Sequence, residues 1–291
     1  MFSVVKNLFS ETAVPIRGNI PDLLPTSFIL ELTKSCNLNC PYCYCLWHEF
    51  PCLADQELTD DDWKKIIKFL IERQVTSFLF TGGEVLLRND LKQIITYTRC
   101  LLPEGKLSLF TNGILLDNGW IEYFRENSVY LSTSLQGLKS YAAMTNSQSR
   151  PEHILNILNL AAALKWPLAV SITVTQANKS EICSMFEAAA DAGTNLIQLG
   201  AMMPQGRGRQ NLKLALSRTE WEEVKNKIRN MKDCGVPYNF CDEMICECRK
   251  HSAEIFEHFH QAEPFECNAG KDFGVISPNG TYHKCLHFFD E

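Results

Sequence analysis

This sequence predicts an α/β fold, a partial (β/α)6 barrel carrying a small Cys-rich β-hairpin region towards its C-terminal end. Three features predict it. Six short apolar runs alternate with amphipathic stretches, most runs lead into loops carrying Gly, Asn, Asp or Ser, and the pattern changes to a cysteine-rich segment after Gly200. Regular βα alternation implies parallel strands with right-handed crossovers, the arrangement of a TIM-like barrel.

The β-like runs are 28–33, 77–81, 106–111, 129–134, 168–175 and 196–200. Helical periodicity marks 60–73, 91–101, 119–126, 151–164 and 180–192. Thr59 is placed to cap the first helix with Asp62 close behind, and Pro151 suits a first turn. Residues 219–234 read as a further helix with Trp221, Val224 and Ile228 on one face. Two runs, 273–277 and 281–285, joined by Pro278-Asn279-Gly280, read as a hairpin. The expected organisation is an N-terminal extension over 1–27, the partial barrel over 28–236 and a Cys-rich region over 237–291.

Composition narrows the function classes. Of the 291 residues 45% are hydrophobic and 21% charged, as in a folded globular protein, and the formal net charge of −6 comes with no basic cluster suited to nucleic acid. No apolar run reaches the roughly 18 residues of a membrane span, and residues 1–10 lack the features of a secretory signal. A cytoplasmic setting is expected. Thirteen cysteines, several closely spaced, then point to metal binding more than to disulfides.

The segment Cys36-Asn37-Leu38-Asn39-Cys40-Pro41-Tyr42-Cys43 follows the first predicted strand, where barrel enzymes carry their chemistry. That spacing is expected by chance roughly 0.03 times in a shuffled chain of this composition. Three thiolates on a short loop suit an iron–sulfur cluster with one open iron. Cys40 and Cys43 also have the spacing of a zinc knuckle, with Cys246 and Cys248 as a poorly spaced second pair. Cys45 and Cys52 read as thiols outside the ligand set.

The C-x3-C-x2-C pattern, with Tyr42 as the aromatic before the last cysteine, resembles the radical S-adenosylmethionine (SAM) superfamily. The resemblance implies a 4Fe-4S cluster on Cys36, Cys40 and Cys43, and SAM bound at the unique iron. Its reductive cleavage would yield a 5′-deoxyadenosyl radical, with a flavodoxin or ferredoxin as electron donor. Gly82-Gly83-Glu84 after the second strand resembles the family's Gly-Gly-Glu element and implies contact with the amino group of SAM; alone it is a common turn. Thr111-Asn112-Gly113 reads as mostly structural. Ser134 is a candidate for the cofactor carboxylate or ribose, and Gln136 stands where relatives often have Asp. Thr173 is a candidate for the ribose or substrate side. Arg207, within Pro204-Gln205-Gly206-Arg207-Gly208, is a candidate for a carboxylate or an ordinary loop residue.

Cys267 before the hairpin and Cys285 after it resemble the start of a SPASM or twitch domain, which implies an auxiliary iron–sulfur cluster. Two ligands do not close one, so Cys241, Cys246 or Cys248 would contribute, or the sequence is truncated, or the thiols are simply buried or free. The subgroup resemblance implies a ribosomally made peptide or protein substrate. A small-molecule cofactor or haem precursor, or a non-catalytic iron–sulfur or zinc protein, are the alternatives. With about 27 residues before the first strand, a peptide would need a separate recognition protein or direct contact with the barrel edge.

Overall fold

The computed structural model describes residues 14–241 and 268–287. Cys246, Cys248 and Cys267 lie outside the described residues, so the auxiliary-ligand readings that rest on them have no structural counterpart here.

The six expected strands form: β1 Ser27–Glu31, β2 Ser77–Thr81, β3 Lys106–Thr111, β4 Val129–Ser134, β5 Leu168–Val174 and β6 Ile197–Ala201. They lie side by side in chain order, all parallel. Helices α1 Asp60–Ile71, α2 Leu91–Leu101, α3 Asn118–Glu126, α5 Pro151–Ala163 and α6 Ile182–Asp191 follow the first five strands, with a short α4, Tyr141–Thr145, before α5. The expected cap is a complete capping box. Asp62 N–H donates to Thr59 Oγ1 at 3.2 Å while Thr59 N–H reaches back to Asp62 Oδ2 at 3.2 Å.

Three more strands extend this sheet. β7 Tyr238–Cys241 pairs parallel with β6. β8 Phe273–Ile276 pairs parallel with β1, and β9 Tyr282–His283 closes the expected hairpin antiparallel to β8. The order β7-β6-β5-β4-β3-β2-β1-β8-β9 leaves β7 and β9 as the two ends, so the described sheet is an open barrel. Residue 237 is therefore no break in the sheet. Pairing between distant parallel strands carries no local turn signal, and for that reason neither attachment is visible in sequence. The helix expected over 219–234 is shorter, α8 Arg218–Arg229, because the chain leaves it at Asn230.

Alternation within each strand separates two environments. Phe28, Leu30, Phe78, Phe80, Leu107, Leu109, Val170 and Ile172 are fully buried against the helical layer, together with Trp63, Ile66, Ile67 and Leu70 of α1. The opposite face turns small and polar groups inward. A cavity of about 900 Å³ runs along it, lined by Ser77, Ser108, Phe110, Tyr130, Ser132, Ala169 and Gln198 among others. At the strand-start end of the cavity, Arg99 donates to five backbone carbonyls, those of Leu102, Pro103, Gly105, Asn127 and Ser128, and ties two αβ connections together.

Two outcomes follow. Trp63, the largest fully buried side chain, fills the seam between α1 and the sheet, so Trp63→Ala should lower unfolding free energy by about 3–5 kcal/mol in denaturant titration. Glu220 caps α8 and bonds Lys179 and Gln176, and its carboxyl is held down to about 2, chiefly by Lys179. Its contribution is complete above the ordinary glutamate pKa and lost as pH falls through about 2. NMR titration of that carboxyl should show a midpoint below every solvent-facing glutamate.

Candidate active site

The cysteine loop is held from both sides by backbone. On one side the β2 turn presses against its start. Gly83 N–H donates to Thr33 O at 2.6 Å and Glu84 N–H to Ser35 O at 2.7 Å. A Cβ at Gly82, where φ is +147°, would lie 2.4 Å from Thr33 O, and one at Gly83 would lie 2.3 Å from Ser35 O. Only glycine permits this approach. On the other side stands the loop after β6, which enters α7 Arg207–Gln210. Gly208 N–H donates to Cys43 O at 3.3 Å, Arg207 Nη1 to Cys40 O at 3.1 Å and Asn211 Nδ2 to Pro41 O at 3.1 Å.

Between these braces is a cavity of about 160 Å³. Its wall includes Cys36, Cys40, Tyr42, Cys43, Gly82, Gly83, Asn112, Ser134, Gln136 and Tyr141. Phe110 lines both this cavity and the larger one along the barrel interior, so the two adjoin. Seven of the sequence-derived candidates thus meet at one place: the three cysteines, Tyr42, Gly82, Gly83 and Ser134.

Three others stand off that wall. Glu84 is fully buried. Its Oε1 accepts from Thr111 Oγ1 at 2.7 Å and from Leu86 N–H at 3.1 Å, and its Oε2 accepts from Asn112 N–H at 2.7 Å. Burial pushes its carboxyl up against the pull of these donors. Thr173 N–H donates to Gln136 Oε1 at 3.0 Å, so Gln136 staples β4 to β5 through the position where a charged side chain was expected. Arg207 bonds the loop carbonyl already described. Cys285 is buried beside the hairpin.

Sequence reasoning missed Asn112. Its side chain donates to Asn37 Oδ1 at 2.7 Å and lies 4.0 Å from Cys36 Sγ. The Asn-Gly turn signal concealed this second role. His48 and Cys45 were also missed. The Cys45 and His48 side chains near it hold the Cys43 thiol below the usual range, while the Cys45 thiol donates to Gly82 O at 3.9 Å. Burial pushes Cys36 up and Cys40 up to about 12.

This donor set fits an iron–sulfur cluster. Three thiols from one loop line one cavity, and each would shed its proton on loading. Among the described residues no three His, Cys, Asp or Glu side chains gather tightly enough for a single metal ion, and the second pair of the zinc-loop alternative, Cys246 and Cys248, lies outside them. No described helix is long and apolar enough to cross a membrane.

Comparison with known proteins agrees. The model of the Radical SAM superfamily matches residues 30–189. The chain is 24% identical over 220 residues to the sporulation killing factor maturation protein SkfB of Bacillus subtilis, covering 75% of this chain and 52% of that protein. It is 27% identical over 274 residues to the AdoMet-dependent heme synthase of Methanosarcina barkeri, covering 90% of this chain and 76% of that protein. The crystal structure of Streptococcus suis SuiB bound to precursor peptide SuiA superposes with a TM-score of 0.69 at 16% identity, covering 91% of this chain and 60% of that one. The chain thus spans about half the length of SkfB and 60% of SuiB. On its matched sequence, its parallel barrel and its three-cysteine cavity, the chain belongs to the Radical SAM superfamily, whose members bind a 4Fe-4S cluster and S-adenosylmethionine.

Proposed function

We propose that this chain cleaves SAM reductively and uses the product to modify a ribosomally made peptide or protein. The observation that carries the reading is the adjacency of two spaces, the three-thiol cavity and the long barrel interior, which share Phe110. In this reading Cys36, Cys40 and Cys43 hold the cluster, and three protein thiolates leave one of four irons for SAM. When bound, the reduced cluster supplies the electron that breaks a carbon–sulfur bond of SAM, and the resulting 5′-deoxyadenosyl radical takes a hydrogen atom from the substrate.

The chain's own residues orient and enclose. Gly82 and Gly83 bring backbone to the cavity wall, Ser134 presents a hydroxyl there, and Tyr42 closes it from below against Met144 and Met202. Glu84 acts from behind the wall. It fixes Thr111 and Asn112, and its charge favours an ammonium group on the cavity side. The interior carries the room for a substrate. Its mid-strand positions are Ser108, Ser132 and Ala169, small side chains that leave space where barrel cores are usually filled. A flavodoxin or ferredoxin would deliver the electron.

Peptide substrates are supported by the names of SkfB and of the PqqA peptide cyclase of Gluconobacter oxydans, to which the chain is 26% identical over 276 residues. A haem-precursor substrate is the second reading, favoured by the haem synthase likeness, which spans more of this chain than SkfB does.

Anaerobic reconstitution with iron and sulfide, followed by reduction in the presence of SAM, tests the reading. We expect a brown protein that releases 5′-deoxyadenosine; a full cluster that releases none would defeat it. Cys40→Ala should abolish that release and lower bound iron, whereas Cys285→Ala should retain release. Glu84→Gln removes the charge behind the cavity wall with little change of shape and should weaken SAM binding, with iron content unchanged. An unaltered dissociation constant in equilibrium binding would confine Glu84 to a structural role.

A further inference from the structure

Arg207 was read as a candidate for a carboxylate or as an ordinary loop residue. It meets the protein. Its Nη1 donates to Cys40 O at 3.1 Å, and among the described residues it pairs with no carboxylate. Its neighbour Arg209 is the one neutralised, by Glu49 at 2.7 Å. Glu49 Oε1 also accepts Gly206 N–H, fixing the loop that carries both arginines. The loop has no room to shift. A Cβ at Gly206, where φ is +55°, would lie 2.6 Å from Cys45 O and 2.7 Å from Cys43 O, and one at Gly208 would lie 2.6 Å from Met203 O. Arg207 is thus a permanent cation seated on the cysteine loop through the Cys40 carbonyl.

We propose that Arg207 is a positioning residue with a second effect: it holds the cysteine loop through Cys40 and, by its fixed charge, sets how readily the bound cluster accepts an electron. The inference rests on the reading above that Cys36, Cys40 and Cys43 carry that cluster. One-electron reduction adds one negative charge to a group already ligated by three thiolates. A partly buried, unneutralised guanidinium stabilises the reduced form more than the oxidised one. Removing the charge should therefore move the potential to more negative values.

The test is a redox titration of the reconstituted protein, followed by the electron paramagnetic resonance signal of the reduced cluster. Iron and sulfide are assayed first on the unaltered chain. Absence of a cluster there would defeat the functional reading itself, and with it the basis for this one. With a cluster in place, Arg207→Gln keeps a donor for Cys40 O and removes the charge, Arg207→Lys keeps the charge, and Asn211→Ala loosens the same brace without changing charge. We expect about a tenfold shift of the reduction equilibrium against the reduced form in Arg207→Gln, equivalent to about 59 mV for one electron. Arg207→Lys and Asn211→Ala should stay near the unaltered value. Loss of the cluster from the Gln variant alone would also support a role for the charge. An unchanged potential in Arg207→Gln, an equal shift in Asn211→Ala, or loss of the cluster from both Arg207 variants would overturn it, since geometry alone would then account for the residue.

Discussion

The site depends on backbone approaching backbone at the cysteine loop. Residues 33–45 have little core of their own, and their carbonyls and amides are engaged by two neighbouring loops. Gly82 and Gly83 pair with Thr33 and Ser35 from the β2 side, while Gly206, Gly208 and Asn211 close on Cys43, Cys45 and Pro41 from the β6 side. Each contact removes an amide or carbonyl from water and replaces it with a partner, as a loop this close to a buried cavity requires. The thiols are positioned by this grip more than by side-chain packing, because none of the three cysteines is fully buried while the main chain is fixed. Gly82, Gly83 and Gly206, at two separate strand ends, thus serve one purpose, and none is replaceable without displacing a carbonyl of the cysteine loop.

The sheet divides structural work from chemical work by the period of two. Side chains facing the helices are mostly large and apolar and supply most of the core, with Thr111 and Thr133 as buried polar exceptions. Side chains facing inward are small or polar at mid-strand and aromatic at Phe110 and Tyr130, which are 39% and 50% exposed. Since stability is carried by the outer face, the inner face is free to be hollow. Ser132 illustrates the consequence. Its small side chain lines the interior cavity at mid-strand, where a large apolar one would fill it.

Much of this was legible in sequence. Strand and helix spacing identified six βα units to within a few residues at their ends, and the cysteine spacing located the site. Both signals are local: hydrophobic period, capping residues and ligand separation all lie within a dozen positions. What was not legible is non-local. The attachment of β7 to β6 and of β8 to β1 joins residues up to 246 positions apart with no turn between them. Asn112 was hidden because an Asn-Gly turn explains itself. Arg207 was read towards a ligand because a guanidinium fork suits a carboxylate, yet it fits a backbone carbonyl equally well, and only the fold brings Cys40 within its reach.

The hairpin gives this last point wider reach. Its turn does not project freely. Leu58 N–H donates to Pro278 O at 2.8 Å, and the Asn279 side chain donates to Cys52 O at 2.6 Å, so the turn grips the chain just beyond the cysteine loop. Beneath it, Ser277 Oγ lies 2.8 Å from His283 Nε2 and 3.5 Å from the buried carboxylate of Glu31, at the end of β1 from which the cysteine loop departs. The hairpin therefore meets the ligand loop at both of its ends, through β1 before it and residues 52–58 after it. Any group held near Cys285 would act on a structure mechanically continuous with Cys36, Cys40 and Cys43.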